Sequence, residues 1–179
     1  VRYSLVFFLA VFFSSTIAYS QVKQDSTYQL VSDSSLVRVP NEKVASIIAL
    51  AKTLLGTPYH WGGTTPTGFD CSGFINYIFG SFGFSLVRTS YSLAELGETV
   101  LLSEVQPGDL IFFRGTGNSN SVGHVGMVIE VTPEAINFIH SSTSRGVVIN
   151  NFKTSKYYIS RYVKTKRLDY GITNQKNKK

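Results

Sequence analysis

The sequence predicts an α+β domain, with N-terminal helices packed on one antiparallel sheet of about five strands. Three observations predict it. Apolar residues recur at helical spacing from Val44 to Leu55. A second apolar helix pattern, Phe74 to Phe79, follows a loop rich in Gly and Pro. From Leu110 onward the pattern changes to short apolar runs joined by short polar connections, which favours antiparallel pairing.

The elements follow in order. Arg2, the unbroken apolar run Leu5 to Phe13 and the small-x-small site Ala18-Tyr19-Ser20 read as an export signal over residues 1–20, cut near Ser20. The run is shorter than the ~20 apolar residues of a membrane span. The expected location is therefore outside the cytoplasm, periplasmic or extracellular. Residues 21–40 are polar and aperiodic and read as a linker. Pro40-Asn41-Glu42 opens the first helix, with Asn41 as its N-cap. Val44, Ile47, Ile48, Ala51, Leu54 and Leu55 form its apolar face. Gly56 ends it, and Pro58 blocks its resumption. Gly56 to Gly68 is a loop. Asp70 caps a second helix that buries Phe74, Ile75, Ile78 and Phe79. A short third helix is expected from Ser90 to Leu96.

Strands are expected at Leu110 to Phe113, His124 to Val131, Ile136 to His140, Val147 to Asn150 and Tyr157 to Lys164. The domain thus spans residues 41–168. Beyond it, residues 169–179 carry no apolar pattern and read as a disordered basic tail.

The only cysteine, Cys71, stands at the start of the second helix in Phe69-Asp70-Cys71-Ser72-Gly73-Phe74. A helix N-terminus favours the thiolate, lowering the thiol pKa below its usual value of about 8.5. A buried structural cysteine is the plainer alternative. A thiol enzyme needs a nucleophile, a base and a group that orients the base. His124 and His140 are candidates for the last two roles. A hairpin loop centred on Thr132 sets them directly opposite each other on one sheet face. A one-residue slip separates them, so the pairing is allowed rather than required. One core histidine and one exposed strand histidine is the other reading.

Gly56-Thr57-Pro58-Tyr59-His60-Trp61-Gly62-Gly63 followed by Asp70-Cys71-Ser72-Gly73-Phe74 resembles the NlpC-type cell-wall peptidases, which are papain-like cysteine endopeptidases. Pro107-Gly108-Asp109-Leu110-Ile111-Phe112-Phe113 is similar to their turn and first sheet strand. Gly123-His124-Val125-Gly126-Met127 is similar to the strand of their catalytic histidine. Phe138-Ile139-His140-Ser141-Ser142, then Ser144-Arg145-Gly146-Val147, is similar to the segment holding their third polar residue. The resemblance covers Glu42 to Lys164, with its blocks in family order.

This resemblance implies a papain-like fold, with Cys71 as nucleophile, His124 as general base and His140 as the orienting residue. It implies that the Tyr59 hydroxyl and the Cys71 N–H meet the oxyanion, and that Asp70 and Ser72 line the site and help hold a substrate amine. It implies hydrolysis of peptidoglycan stem peptides at the bond between γ-D-glutamate and diaminopimelate or lysine, with no cofactor. A related amidase or acyltransferase on cell-wall material is the alternative. His60 reads as a surface residue and Trp61 as a wall of the groove. The Gln that often follows the Arg88-Thr89-Ser90 block is absent, with Leu93 and Ala94 there instead. That favours an ion-paired or surface Arg88 over a substrate contact.

Two readings come from other classes. A zinc site of Cys71, His124 and His140 lacks a fourth ligand and the usual short ligand pair. A silent wall-binding protein has no need of a Cys/His/His set. Charge separates along the chain. Lys153 to Lys179 holds nine Lys or Arg against one acid, whereas Gln21 to Phe152 holds seven against ten. The basic end suits an anionic wall polymer or membrane surface, or serves only as a solvated end. Nucleic acid is not the expected partner of an exported chain.

Overall fold

The side chain of Asn41 accepts a hydrogen bond from the Val44 N–H at 3.0 Å and starts helix α1 (Glu42–Thr53). Val44, Ile47, Ile48 and Ala51 line its buried face at the spacing of a 3.6-residue turn. The computed structural model describes residues 40–116 and 121–170. The expected export signal lies outside those residues, as do the linker before Pro40 and the tail beyond Tyr170.

The loop after α1 is tied to Val147, some ninety residues along the chain. Gly56 N–H donates to Val147 O at 2.9 Å, and Val147 N–H donates to Thr57 O at 2.9 Å. Strands β1 (Thr64–Thr65) and β2 (Gly68–Phe69) then form a small hairpin. Helix α2 (Cys71–Gly80) follows, capped by Asp70, whose carboxylate accepts the Gly73 N–H at 2.6 Å. The loop that leads into the hairpin presses on this first turn: a Cβ on Gly73 would lie 2.0 Å from the Gly63 carbonyl oxygen. Only glycine fits there. Helix α3 (Ser90–Leu93) is shorter than expected.

The sheet has six antiparallel strands: β3 (Glu98–Val100), β4 (Leu110–Arg114), β5 (Val122–Val131), β6 (Ile136–Ser142), β7 (Gly146–Asn151) and, after helix α4 (Lys156–Arg161), β8 (Tyr162–Arg167). Their order across the sheet is β3-β8-β4-β5-β6-β7. The α+β class and the helix-then-sheet order match the reading from sequence, and the strand count is six rather than about five. Strand β3 escaped it because three edge residues carry little pattern. The strand expected from Tyr157 to Lys164 starts only at Tyr162, and Tyr157 to Arg161 are helical. The Ser155 hydroxyl accepts the Tyr158 N–H and caps α4. A local cap here outweighs propensity.

Alternation along the strands splits the apolar residues into two cores. Leu110, Phe112, Val125, Met127 and Ile139 pack with α1 and α2. Ile111, Phe113, Val128, Phe138, Phe152 and Tyr158 form the second core. Helix α4 supplies Tyr158 to it, so helices cover both faces. The expected boundary at residue 168 falls short. Tyr170 is buried, stacks on Phe79 with ring centres 6.0 Å apart, and donates its hydroxyl to the Gly108 carbonyl at 2.5 Å.

Asp109 anchors the turn into β4. It is fully buried and accepts 2.8 Å hydrogen bonds from the Gln106 N–H and from Nε and Nη2 of Arg167. Both carboxylate oxygens that burial closes to water thereby meet a donor.

Candidate active site

Cys71 is the first residue of α2, and its sulfur lies 4.0 Å from the Gly123 carbonyl oxygen at the start of β5. Burial first, and then the Asp70 carboxylate, push the thiol up to about 11. The backbone N–H groups of Val125, Ser72 and Cys71 itself pull the other way. The expected lowering by the helix N-terminus is thus overcome by desolvation and a neighbouring negative charge.

His124 and His140 come together, though not as direct opposites. Met127 pairs with Ile139 and Val128 with Phe138, around a turn one residue later than Thr132. Continuing that register places His140 opposite Gly126, with His124 two residues along. A shift of two keeps the face, so the rings still meet. A Cβ on Gly126 would lie 2.8 Å from Phe138 Cδ2 and 3.1 Å from His140 Cβ, so the missing side chain makes room for the imidazole.

His124 Nε2 lies 2.9 Å from His140 Nδ1, with the ring planes at 88°. His140 Nε2 lies 3.0 Å from Asn150 Oδ1 and 3.1 Å from the Tyr158 hydroxyl. Arg145 Nη2 donates to the same Asn150 Oδ1 at 2.9 Å. Arginine only donates, which fixes that atom as the acceptor. His140 Nε2 then carries its proton toward Asn150, and His140 Nδ1 accepts the proton of His124 Nε2. His124 Nδ1 is left with a lone pair. Burial, and then the neighbouring His140, lower His124 to about 3. Burial also lowers His140 to about 4.

Asp70 accepts from the Gly62 and Gly73 N–H groups, from the Ser72 hydroxyl at 3.2 Å, and from both terminal nitrogens of Arg88 at 3.1 and 2.5 Å. Burial pushes its carboxyl up, but the Arg88 and Gly73 hydrogen bonds hold it below the usual range. Ser72 is buried and accepts from Arg88 Nη1 at 2.8 Å. Arg88 is thus ion-paired, and Asp70 is already engaged.

Tyr59 is half-buried and bridges to Phe69. Burial, then the nearby Cys71 and Asp70, push its phenol upward. Tyr59, Cys71, Ser72, Arg88 and His124 all line one cleft of about 780 Å³. Trp61 forms an exposed part of its wall, and His60 is exposed.

The model of the NlpC/P60 family matches residues 56–167, which carry all of these groups. The chain belongs to the NlpC/P60 family. It is 38% identical over 130 residues to a γ-D-glutamyl-L-lysine dipeptidyl-peptidase of Bacillus cereus, covering 72% of this chain and 38% of that protein. It is 37% identical over 114 residues to an Escherichia coli protein named murein DD-endopeptidase MepS/murein LD-carboxypeptidase, covering 63% of this chain and 56% of that one. A solved NlpC/P60 family protein from Bacillus cereus superposes with a TM-score of 0.63 at 37% identity, over 72% of this chain and 41% of that chain. The chain thus spans 38% and 56% of the length of these two curated relatives.

This NlpC/P60 domain adds Asn150, Tyr158 and Arg145 around His140, none of which the sequence singled out. A signal exists only for Asn150. It is a polar residue two beyond Val148, and Val148 pairs with His140, so Asn150 shares the histidine's face.

Proposed function

We propose that the chain is a cysteine peptidase that hydrolyses peptidoglycan stem peptides between γ-D-glutamate and a diamino acid. The observation that carries this reading is the line of groups from Cys71, in an open cleft, to the His124–His140–Asn150 relay. The names of the Bacillus cereus and Escherichia coli relatives support the substrate class. The first of them supports the γ-D-glutamyl bond.

In this reading the Cys71 thiol gives its proton to His124 Nδ1 as sulfur attacks the γ-carbonyl carbon. The carbonyl oxygen takes the negative charge and is met by the Cys71 N–H and the Tyr59 hydroxyl. The C–N bond breaks, the amine takes the proton from His124, and a thioester remains. Water then gives a proton to His124 and attacks the thioester, which releases the carboxylate and returns the thiol. His140 orients His124 throughout. Asp70 and Ser72 border the cleft, and a substrate ammonium there competes with Arg88 for the Asp70 carboxylate. A leader at residues 1–20 would bring the domain to a substrate outside the cytoplasm.

Digestion of defined muropeptides, uncrosslinked and crosslinked, with mass analysis of products, tests this. The expected products are a peptide ending in γ-D-glutamate and one beginning with the diamino acid, absent with Cys71→Ala. Cleavage of the sugar–alanine amide instead would favour the amidase alternative. Cleavage of only the crosslink would move the scissile bond to the one named in the Escherichia coli relative.

A further inference from the structure

Arg114, the last residue of β4, donates to the Ser160 carbonyl, and Arg161, the last residue of α4, donates to the Gly115 carbonyl. Each guanidinium therefore reaches the residue beside the other, across one gap between β4 and α4. Both are half-buried, and both line the cleft that holds Cys71 and His124. Arg161 is also held over the Tyr157 ring, with its Cζ 4.8 Å from the ring centre. A guanidinium has five N–H donors, so one carbonyl occupies little of either fork.

The charge balance of this cleft is one-sided. Among the described residues, the only carboxylate lining it is Asp70, which Arg88 already pairs. No ion pair engages Arg114 or Arg161 among the described residues. Two fixed cations this close repel each other, and the repulsion is strongest where water is partly excluded. An anion bound between them removes it.

The position of this clasp says which part of a substrate it meets. Phe113, next to Arg114, pairs with His124 across β4 and β5. The clasp thus lies beside His124, whereas Asp70 and Ser72 flank Cys71 at the start of α2. A base that takes the thiol proton returns it to the departing amine, so the leaving residue sits on the histidine side. We propose that Arg114 and Arg161 form a carboxylate subsite for that residue, selecting diaminopimelate over lysine. This rests on the hydrolase reading above. Diaminopimelate carries a carboxylate at the end of its side chain, which a pair of guanidinium forks binds well. Lysine brings only an ammonium, which the same two cations repel.

The test compares L-Ala-γ-D-Glu-meso-diaminopimelate with L-Ala-γ-D-Glu-L-Lys on the full chain. The diaminopimelate peptide should be favoured about tenfold or more in kcat/KM, and added salt should shrink the preference. Arg114→Gln and Arg161→Gln should each raise KM for the diaminopimelate peptide more than they lower kcat, and bring the preference toward one. A second measurement needs no variant: amidating the side-chain carboxyl of diaminopimelate should slow cleavage to about the lysine rate. Equal rates on both peptides, or a preference that survives both substitutions and the amidation, would overturn the subsite while leaving the hydrolase reading intact. Cleavage of neither peptide would overturn the hydrolase reading and the subsite with it.

Discussion

His124 Nε2 and His140 Nδ1 stand 2.9 Å apart, and the second imidazole is fully buried between Phe138 and Tyr158. This contact makes the state of one histidine depend on the other. Asn150, held by Arg145, sets the direction of the proton chain from its far end. His124 therefore presents Nδ1, not Nε2, away from His140.

Cys71→Ala should leave a folded protein and lower hydrolysis of a stem peptide by roughly a thousandfold or more. Product formation measured beside circular dichroism or a melting curve checks both halves. A fully active Cys71→Ala protein would refute the thiol mechanism.

In the proposed mechanism His140 and Asn150 act on the rate through His124. His140→Asn or His140→Gln should retain more activity than His140→Ala, because an amide oxygen still accepts from His124 Nε2. His124→Asn should be as damaging as His124→Ala. Asn150→Asp places a negative charge near the pair, so the histidines hold their proton to higher pH. The acid limb of kcat/KM should move up, whereas Asn150→Leu should lower the rate about tenfold or more without that shift. A pH–rate series on the three proteins separates the outcomes.

The thiol, raised to about 11 by burial, stays protonated near neutral pH. Alkylation of Cys71 by iodoacetamide should accelerate with each step from pH 7 to pH 10. A rate already level at pH 7 would instead show a preformed thiolate.

The histidines, lowered to about 3 and about 4 by burial, act on stability with the opposite sense in pH. Above the unfolded value of about 6.5 both states hold neutral imidazole, and this contribution is fully present. Below it the unfolded chain binds protons that the folded chain refuses, so stability falls from about pH 6.5 toward pH 4. Urea melts across that range should show the loss, on the order of a few kcal/mol, and His140→Gln should flatten it.

Gly126→Ala should harm activity more than its small size suggests, because the new methyl meets Phe138 and His140 Cβ. A displaced His140 breaks the relay, and overpacking of this kind costs about 1–3 kcal/mol. Rate and melting temperature measured together check this; an unchanged rate would show that the imidazole tolerates the shift. Asp109→Ala tests packing away from the cleft. Removing the buried carboxylate leaves the Gln106 N–H without its acceptor and the half-buried Arg167 without its partner, at a cost of about 1–3 kcal/mol. Denaturant unfolding is the measurement, and a loss under 1 kcal/mol would show that Arg167 finds water instead.

Sequence alone determined the features whose causes are local. Asn41 and Asp70 cap the helices they precede, and the apolar period of Val44 to Ala51 faces a core. The strands at Leu110, His124, Ile136 and Val147 follow from alternation and turns, and Cys71 stands at a helix start within a recognisable block. Tertiary structure decided what depends on register and burial. The hairpin slipped by two residues from the simplest pairing, and parity alone kept His124 and His140 on one face. Asn150, Tyr158 and Arg145 reach His140 only once β7 and α4 have packed against β6. The Arg88–Asp70 pair joins residues 18 apart whose side chains carry no periodic signal. The thiol's rise and the histidines' fall were invisible for the same reason. Caps and periods act over a few residues of chain, whereas desolvation and charge act through space, and only the packed chain fixes those distances.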